Sequence, residues 1–292
     1  MGAGPHPRGR IAEARRTAPD RAGATAPVRA GATARPSSGD ARRSSGDRSR
    51  PDGYDAPVQT VTRPAANLLI AVATAVGILA IAIPFFLNPV FVAFEQGRAE
   101  ATAWTGFSEA QLRVATDAIL ADLVIGPPRF DVIVDGTPVL NDRERAHMGD
   151  VRTVFMGFFG AAVLLAGAAV VVARVRGGDA VGRARTFGAV RAGAIGLIVG
   201  LVGLGLAAFV AFDVLFEIFH RIFFSGGSYT FDPGTERLVQ LFPFRFWQET
   251  SVAVGAVAVA FAAVVAIVAG RRARDAAVGM DLATGQIAAR AR

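Results

Sequence analysis

The 292-residue chain has no cysteine and no lysine, and only three histidines, two tryptophans and two tyrosines. Without cysteine there is no disulfide framework and no thiolate chemistry, and the redox compartment is left open. Without lysine, all 31 basic side chains are arginine. Residues 1–62 lack the apolar core of a secretory signal peptide, so none is expected there. No phosphate-binding loop or dinucleotide fingerprint interrupts the polar segments, and no H-E-x-x-H ligand pair is present. Ser225 and Ser228 lie outside any G-x-S-x-G elbow, which weakens a serine-nucleophile reading.

What the chain has in abundance is apolar surface. Mean hydropathy is +0.41, and four runs of about twenty residues carry no charge: 66–87, 153–173, 192–212 and 251–270. Each is long enough to cross a hydrocarbon core of about 30 Å as a helix. Glycine and alanine recur in all four, as close helix packing in lipid allows. The glycines of "GLIVGLVGLG" therefore read as packing residues. An ion pathway would need charge inside a span, and none is there.

Charge sets the expected orientation. Residues 1–63 carry twelve arginines against six acidic residues, the 174–191 loop five against one, and the 271–292 tail five against two. The alternate segments, 88–152 and 213–250, are net acidic. The arginine bias predicts both termini in the cytoplasm and segments 88–152 and 213–250 outside. The pI near 11 is thus a sign of topology and argues against a nucleic-acid partner. Residues 1–62, rich in Ala, Gly, Pro, Ser and Arg, are expected to be a disordered tail, at most weakly drawn to anionic lipid.

The external segments should be structured. Ser108 and Gln111 occupy capping-box positions, with Leu112, Ala115, Ile119 and Val124 on one helical face. "RFDVIVDGTPVL" reads as a hairpin about an Asp135–Gly136 turn. "FDVLFEIFHRIFF" should extend the third helix beyond the membrane, and the aromatics of "LFPFRFW" suit the interface. The fold expected is all-α and membrane-embedded, with four transmembrane helices and a small extracytoplasmic α+β cap.

Candidate chemistry rests on two histidines, since His6 lies in the tail. His147 falls in "DRERAHMGDVR", just before the second span, with Asp150 three residues on. Asp142, Arg143, Glu144 and Arg145 there read as a polar collar. Asp213, Glu217 and His220 are spaced to share one helical face at the end of the third span. Both histidines are expected at one depth on the outer side, each with carboxylates. An imidazole exchanges protons near neutral pH, and a carboxylate can orient it. General acid–base chemistry on an interfacial substrate is one reading. A non-catalytic external binding face is another. A metal-dependent hydrolase using the histidines with Asp150, Asp213 or Glu217 is a third.

The order "ERAHMGDVR", then "FHRIFFSGGSYTFDPGTERLVQLFPFRFW", each leading into a span, resembles the bacterial lipoprotein intramolecular transacylases over about residues 65–270. The resemblance implies a four-span enzyme of the bacterial cytoplasmic membrane that needs no cofactor. Its substrate is a diacylglyceryl lipoprotein held in the bilayer. An acyl chain would move from the sn-2 ester of the glyceryl group to the N-terminal cysteine amine. His147 and His220 match the family's two key histidines, and Arg152, Arg221 or backbone N–H groups are candidates to hold the oxyanion. Two positions depart from the family pattern: Tyr229 stands where a tryptophan is common, and Phe244 where an acidic residue often follows the proline. The oligomeric state is left open.

Overall fold

The structure is a computed structural model, and it describes residues 63–224 and 227–290. The expected tail, 1–62, and Ser225 lie outside the described residues. The first apolar run forms α1 (Arg63–Ala82) and passes into a 3-10 turn at Ile83–Phe86, where Pro84 ends the α-helical ladder. Asn88 then caps α2 (Pro89–Arg98), its side chain accepting from the Phe91 N–H at 3.0 Å. A short α3 (Ala101–Thr105) ends at Gly106, whose φ of 70° is the left-handed conformation glycine adopts without cost.

Helix α4 (Glu109–Val124) begins with the Ser108–Gln111 capping box, complete in both directions. Its buried face runs Leu112, Ala115, Thr116, Ile119, Leu120 and Leu123. Val124, expected on that face, is instead exposed, because the i, i+3, i+4 stripe closes one residue earlier. Two short antiparallel strands follow, β1 (Ile133–Val134) and β2 (Thr137–Pro138). Asp135 and Gly136 between them have φ of 50° and 77°, the paired positive values of a type I′ turn.

Three long helices complete the chain: α5 (Asp142–Arg176), α6 (Ala180–Phe223) and α8 (Phe244–Arg290), with the short α7 (Arg237–Leu241) before the last. Helix α5 starts eleven residues ahead of the apolar run at Thr153, so the anticipated collar is helix. α6 breaks at Ala211 (φ −146°, ψ 52°), and its last turns form a separate segment rather than a straight extension. Among the described residues, four helices are long and apolar enough to cross a membrane: Arg63–Phe86, Asp142–Arg176, Ala180–Phe223 and Phe244–Gly279. Their flanks expose Val163, Leu164, Val171, Leu206, Phe209 and Val210. In water such a surface would aggregate, whereas in lipid it is already solvated. The protein is a multi-pass membrane protein.

Two cores hold it together. In the bundle, Ile78 and Ala82 of α1 meet Ala194 and Leu197 of α6 and Ala258, Ala262 and Ala266 of α8. Gly193 lies against α1 so closely that a Cβ there would come within 2.2 Å of the Ala71 carbonyl oxygen. At one end of the bundle sits a cap built from α2, α3, α4, the hairpin and α7, around Phe130, Ile119, Leu241, Phe242 and Phe246. Buried Gln96 ties it internally, donating to the Leu241 carbonyl at 3.0 Å and accepting from Thr116 Oγ1 at 3.1 Å.

Candidate functional site

Asn141 and Glu144 form a second capping box at the start of α5, Glu144 N–H donating to Asn141 Oδ1 at 2.9 Å and Asn141 N–H to Glu144 Oε2 at 2.7 Å. The other Glu144 oxygen accepts from the Leu238 N–H at 2.6 Å. A carboxylate only 1% exposed thus receives backbone donors from two segments 94 residues apart. Glu236 works alongside it, accepting from Arg143 Nη2 at 2.5 Å, the Asp232 N–H at 2.7 Å and Asn141 Nδ2 at 3.3 Å. Burial pushes the Glu236 carboxyl up, but the Arg143 guanidinium and the Asp232 and Asn141 donors outweigh it and hold it below the usual range. Asn141, Arg143 and Glu144 are therefore a clasp between α5 and residues 232–238. The collar reading is corrected for Arg143 and Glu144. The N-x-x-E spacing was its signal in the sequence.

The clasp fixes the first turn of α5, and with it His147. From the far side, the segment of α6 after the Ala211 break brings His220. The two rings stack, with centroids 6.2 Å apart and an interplanar angle of 22°. Both are buried, 6% and 9% exposed. Their surroundings are aromatic: Phe224 lies 4.8 Å from His147 and 5.5 Å from His220, Phe231 lies 5.3 Å from His147, and Phe216 and Tyr229 lie 4.2 and 5.1 Å from His220.

The two imidazoles are not equivalent. His220 Nδ1 is 2.7 Å from the Phe216 carbonyl oxygen, which can only accept. That contact places the proton on Nδ1 and leaves the Nε2 lone pair free. His147 Nδ1 is buried without a hydrogen-bond partner among the described residues.

The other expected residues divide. Tyr229 joins the site, its ring on His220 and its hydroxyl donating to Glu217 Oε1 at 3.1 Å. Glu217 reaches the site through that tyrosine, and Arg221 Nε pairs with it at 2.7 Å on the exposed side. Asp150 and Asp213 are exposed and hydrogen-bond to neither imidazole. Arg152 is bonded elsewhere, to the Asp122 carbonyl at the end of α4. Phe244 packs on Phe212 and Phe216 at 5.3 and 5.8 Å, extending the aromatic wall. Ser228 Oγ is buried without a partner among the described residues. Among the described residues, no three His, Asp or Glu side chains come together as metal ligands. Phe224, Phe231 and the clasp escaped sequence reasoning, since only folding brings them to the histidines.

Fold and site together define a helical, multi-pass membrane protein with a capped end, where two stacked imidazoles are enclosed by aromatic rings. The family model described as "Lipoprotein intramolecular transacylase Lit" matches residues 67–247, well over half of the chain. The chain belongs to this family, and so to the transferases. Among solved structures, it is similar to the membrane-integral lipoprotein intramolecular transacylase Lit from Bacillus cereus, at 15% identity and TM-score 0.57, over 75% of this chain and 98% of that one. A histidine-to-arginine variant of that protein aligns with TM-score 0.57 at 15% identity, covering 76% of this chain and 94% of the other. At this identity the likeness speaks for the fold. No curated protein matches the chain by sequence.

Proposed function

We propose that the protein moves an acyl chain within a diacylglyceryl lipoprotein, from the sn-2 ester to the N-terminal cysteine amine, with His147 and His220 as the acid–base pair. The stacked, buried pair of rings with one defined tautomer is the observation that carries this reading. In the reaction a C–N bond forms, the sn-2 C–O bond breaks, one proton leaves the amine and one arrives on the glyceryl oxygen. Atoms balance without water, nucleotide or cofactor, and an amide replaces an ester. His220 is oriented by the Phe216 carbonyl to offer Nε2 as the base toward the amine. His147, stacked on it, lies within reach to return the proton to the leaving oxygen. Glu217 and Tyr229 hold the outer edge of the His220 ring.

The aromatic rings around the histidines suit a substrate with acyl tails, because they set apolar surface beside a polar reacting edge. The membrane is the bacterial cytoplasmic membrane, with the histidines at the outer face, both termini inside, and 1–62 and 271–292 as cytoplasmic tails. The test is mass spectrometry of the N-terminal peptide of a reporter lipoprotein expressed with the gene. His147→Ala or His220→Ala should lower conversion to the lyso form by about 10²–10⁴-fold. Conversion unchanged in either variant overturns the assignment.

A further inference from the structure

At the opposite end of the bundle a cavity of about 680 Å³ opens between α6 and α8. Its rim carries Arg191, Arg271 and Arg274, and its apolar wall includes Ile195, Ala266 and Ile267. No acidic residue lines it. Among the described residues none of the three arginines forms an ion pair.

One arginine is held in place by packing. A Cβ at Gly270 would come within 3.2 Å of Arg191 Cδ and Nε, so the Arg191 side chain lies across α8 at a position without a side chain. Two residues further on, Gly193 seats α6 against α1, which fixes the backbone that carries Arg191. Arg271 and Arg274 follow the last apolar run of α8 directly. The cavity therefore straddles the edge of the hydrocarbon layer, with guanidinium groups at its rim and aliphatic side chains below.

Guanidinium groups bind phosphate through paired N–H donors. A phosphate arriving together with apolar chains at this depth belongs to a phospholipid. Three positive charges with no acidic partner among the described residues disfavour a zwitterionic headgroup, whose ammonium would enter the same rim. We propose that this cavity binds an anionic phospholipid, with its phosphate between Arg191, Arg271 and Arg274 and its acyl chains along Ile195 and Ile267.

The test uses the full chain in detergent, with bound lipid read by native mass spectrometry. Phosphatidylglycerol is offered against phosphatidylcholine of identical chains. The protein should retain the anionic lipid preferentially, and each arginine-to-glutamine change should cut that preference about fivefold, the triple variant by about a hundredfold. Gly270→Leu keeps every charge but fills the space under Arg191, and should also lower retention. Thermal unfolding of each variant in neutral lipid checks that the bundle is intact. Full anionic preference in an intact triple variant overturns the proposal. So does displacement of the lipid by equimolar inorganic phosphate, which would assign the site to a free anion. Bound lipid is read here, so the outcome is independent of acyl transfer.

Discussion

The cap and the bundle solve the same problem with different side chains. The cap excludes water with large ones, Phe130, Ile119, Leu241, Phe242 and Phe246, and holds buried Gln96 and Glu144 by specific hydrogen bonds. The bundle meets through Ala82, Ala194, Ala258, Ala262 and Gly193. Lipid tails are as apolar as leucine, so enlarging a side chain in the bundle gains little from solvent; close backbone approach gains dispersion. The site lies on the cap side of that divide. There, polar groups can be held by hydrogen bonds while aromatic rings keep water away.

The largest effect outside the imidazoles should come from the clasp. Glu144→Ala strands the buried Leu238 N–H, which costs about 1–3 kcal/mol, and removes the capping bond from the part-buried Asn141 N–H. Cap stability should fall by about 3 kcal/mol, and His147 should lose its fixed position. Hydrogen exchange will locate the loss: faster exchange in 232–241 with an unchanged bundle is the expected pattern. If the bundle melts along with it, cap and bundle are one cooperative unit and the contrast fails.

Gly193→Val probes the other half. Its Cβ cannot fit 2.2 Å from the Ala71 oxygen, so α1 and α6 must separate, at a cost of about 1–3 kcal/mol. Gly200→Ala, with open space around it, is the matched control and should leave thermal stability unchanged. Equal effects at both positions would mean that close approach does not govern the bundle.

The smallest effect is a pH dependence within the cap. Glu95 of α2 is buried, and burial together with the neighbouring Glu249 carboxylate pushes its carboxyl up to about 7, against the pull of Arg98 and Arg245. An acid whose folded pKa lies above its unfolded value contributes most stability below the unfolded value and loses it as pH rises to the folded one. Stability should therefore decline as pH rises from about 4.5 to about 7. Glu95→Gln should flatten that slope in a thermal scan across pH. An unchanged slope would move the titration to another group.

Much of this was readable from the chain. The charge-free runs, the Ser108–Gln111 box and the Asp135–Gly136 turn are local signals, and local signals survive without tertiary information. The pairing of His147 with His220 was suggested by topology but depends on the break at Ala211, where no proline announces a bend. Asp213 shares the segment after that break with Glu217 and His220, yet its side chain is exposed. Glu144 looked like one more charge before a span, because its second partner, Leu238, lies 94 residues away.

The break at Ala211 also has a consequence of length. The turn at Gly177–Asp179 joins α5 and α6 as two arms. His147 lies thirty residues before that turn and Ala211 thirty-two after it, so the longer arm bends level with the shorter one's tip. The nine residues from Ala211 to His220 then carry the second imidazole to the first. Every residue added to either arm advances its tip by about 1.5 Å and swings it by about 100°. The separation of the two imidazoles is thus set by residue count as much as by residue identity, and the spans serve as rulers as well as anchors.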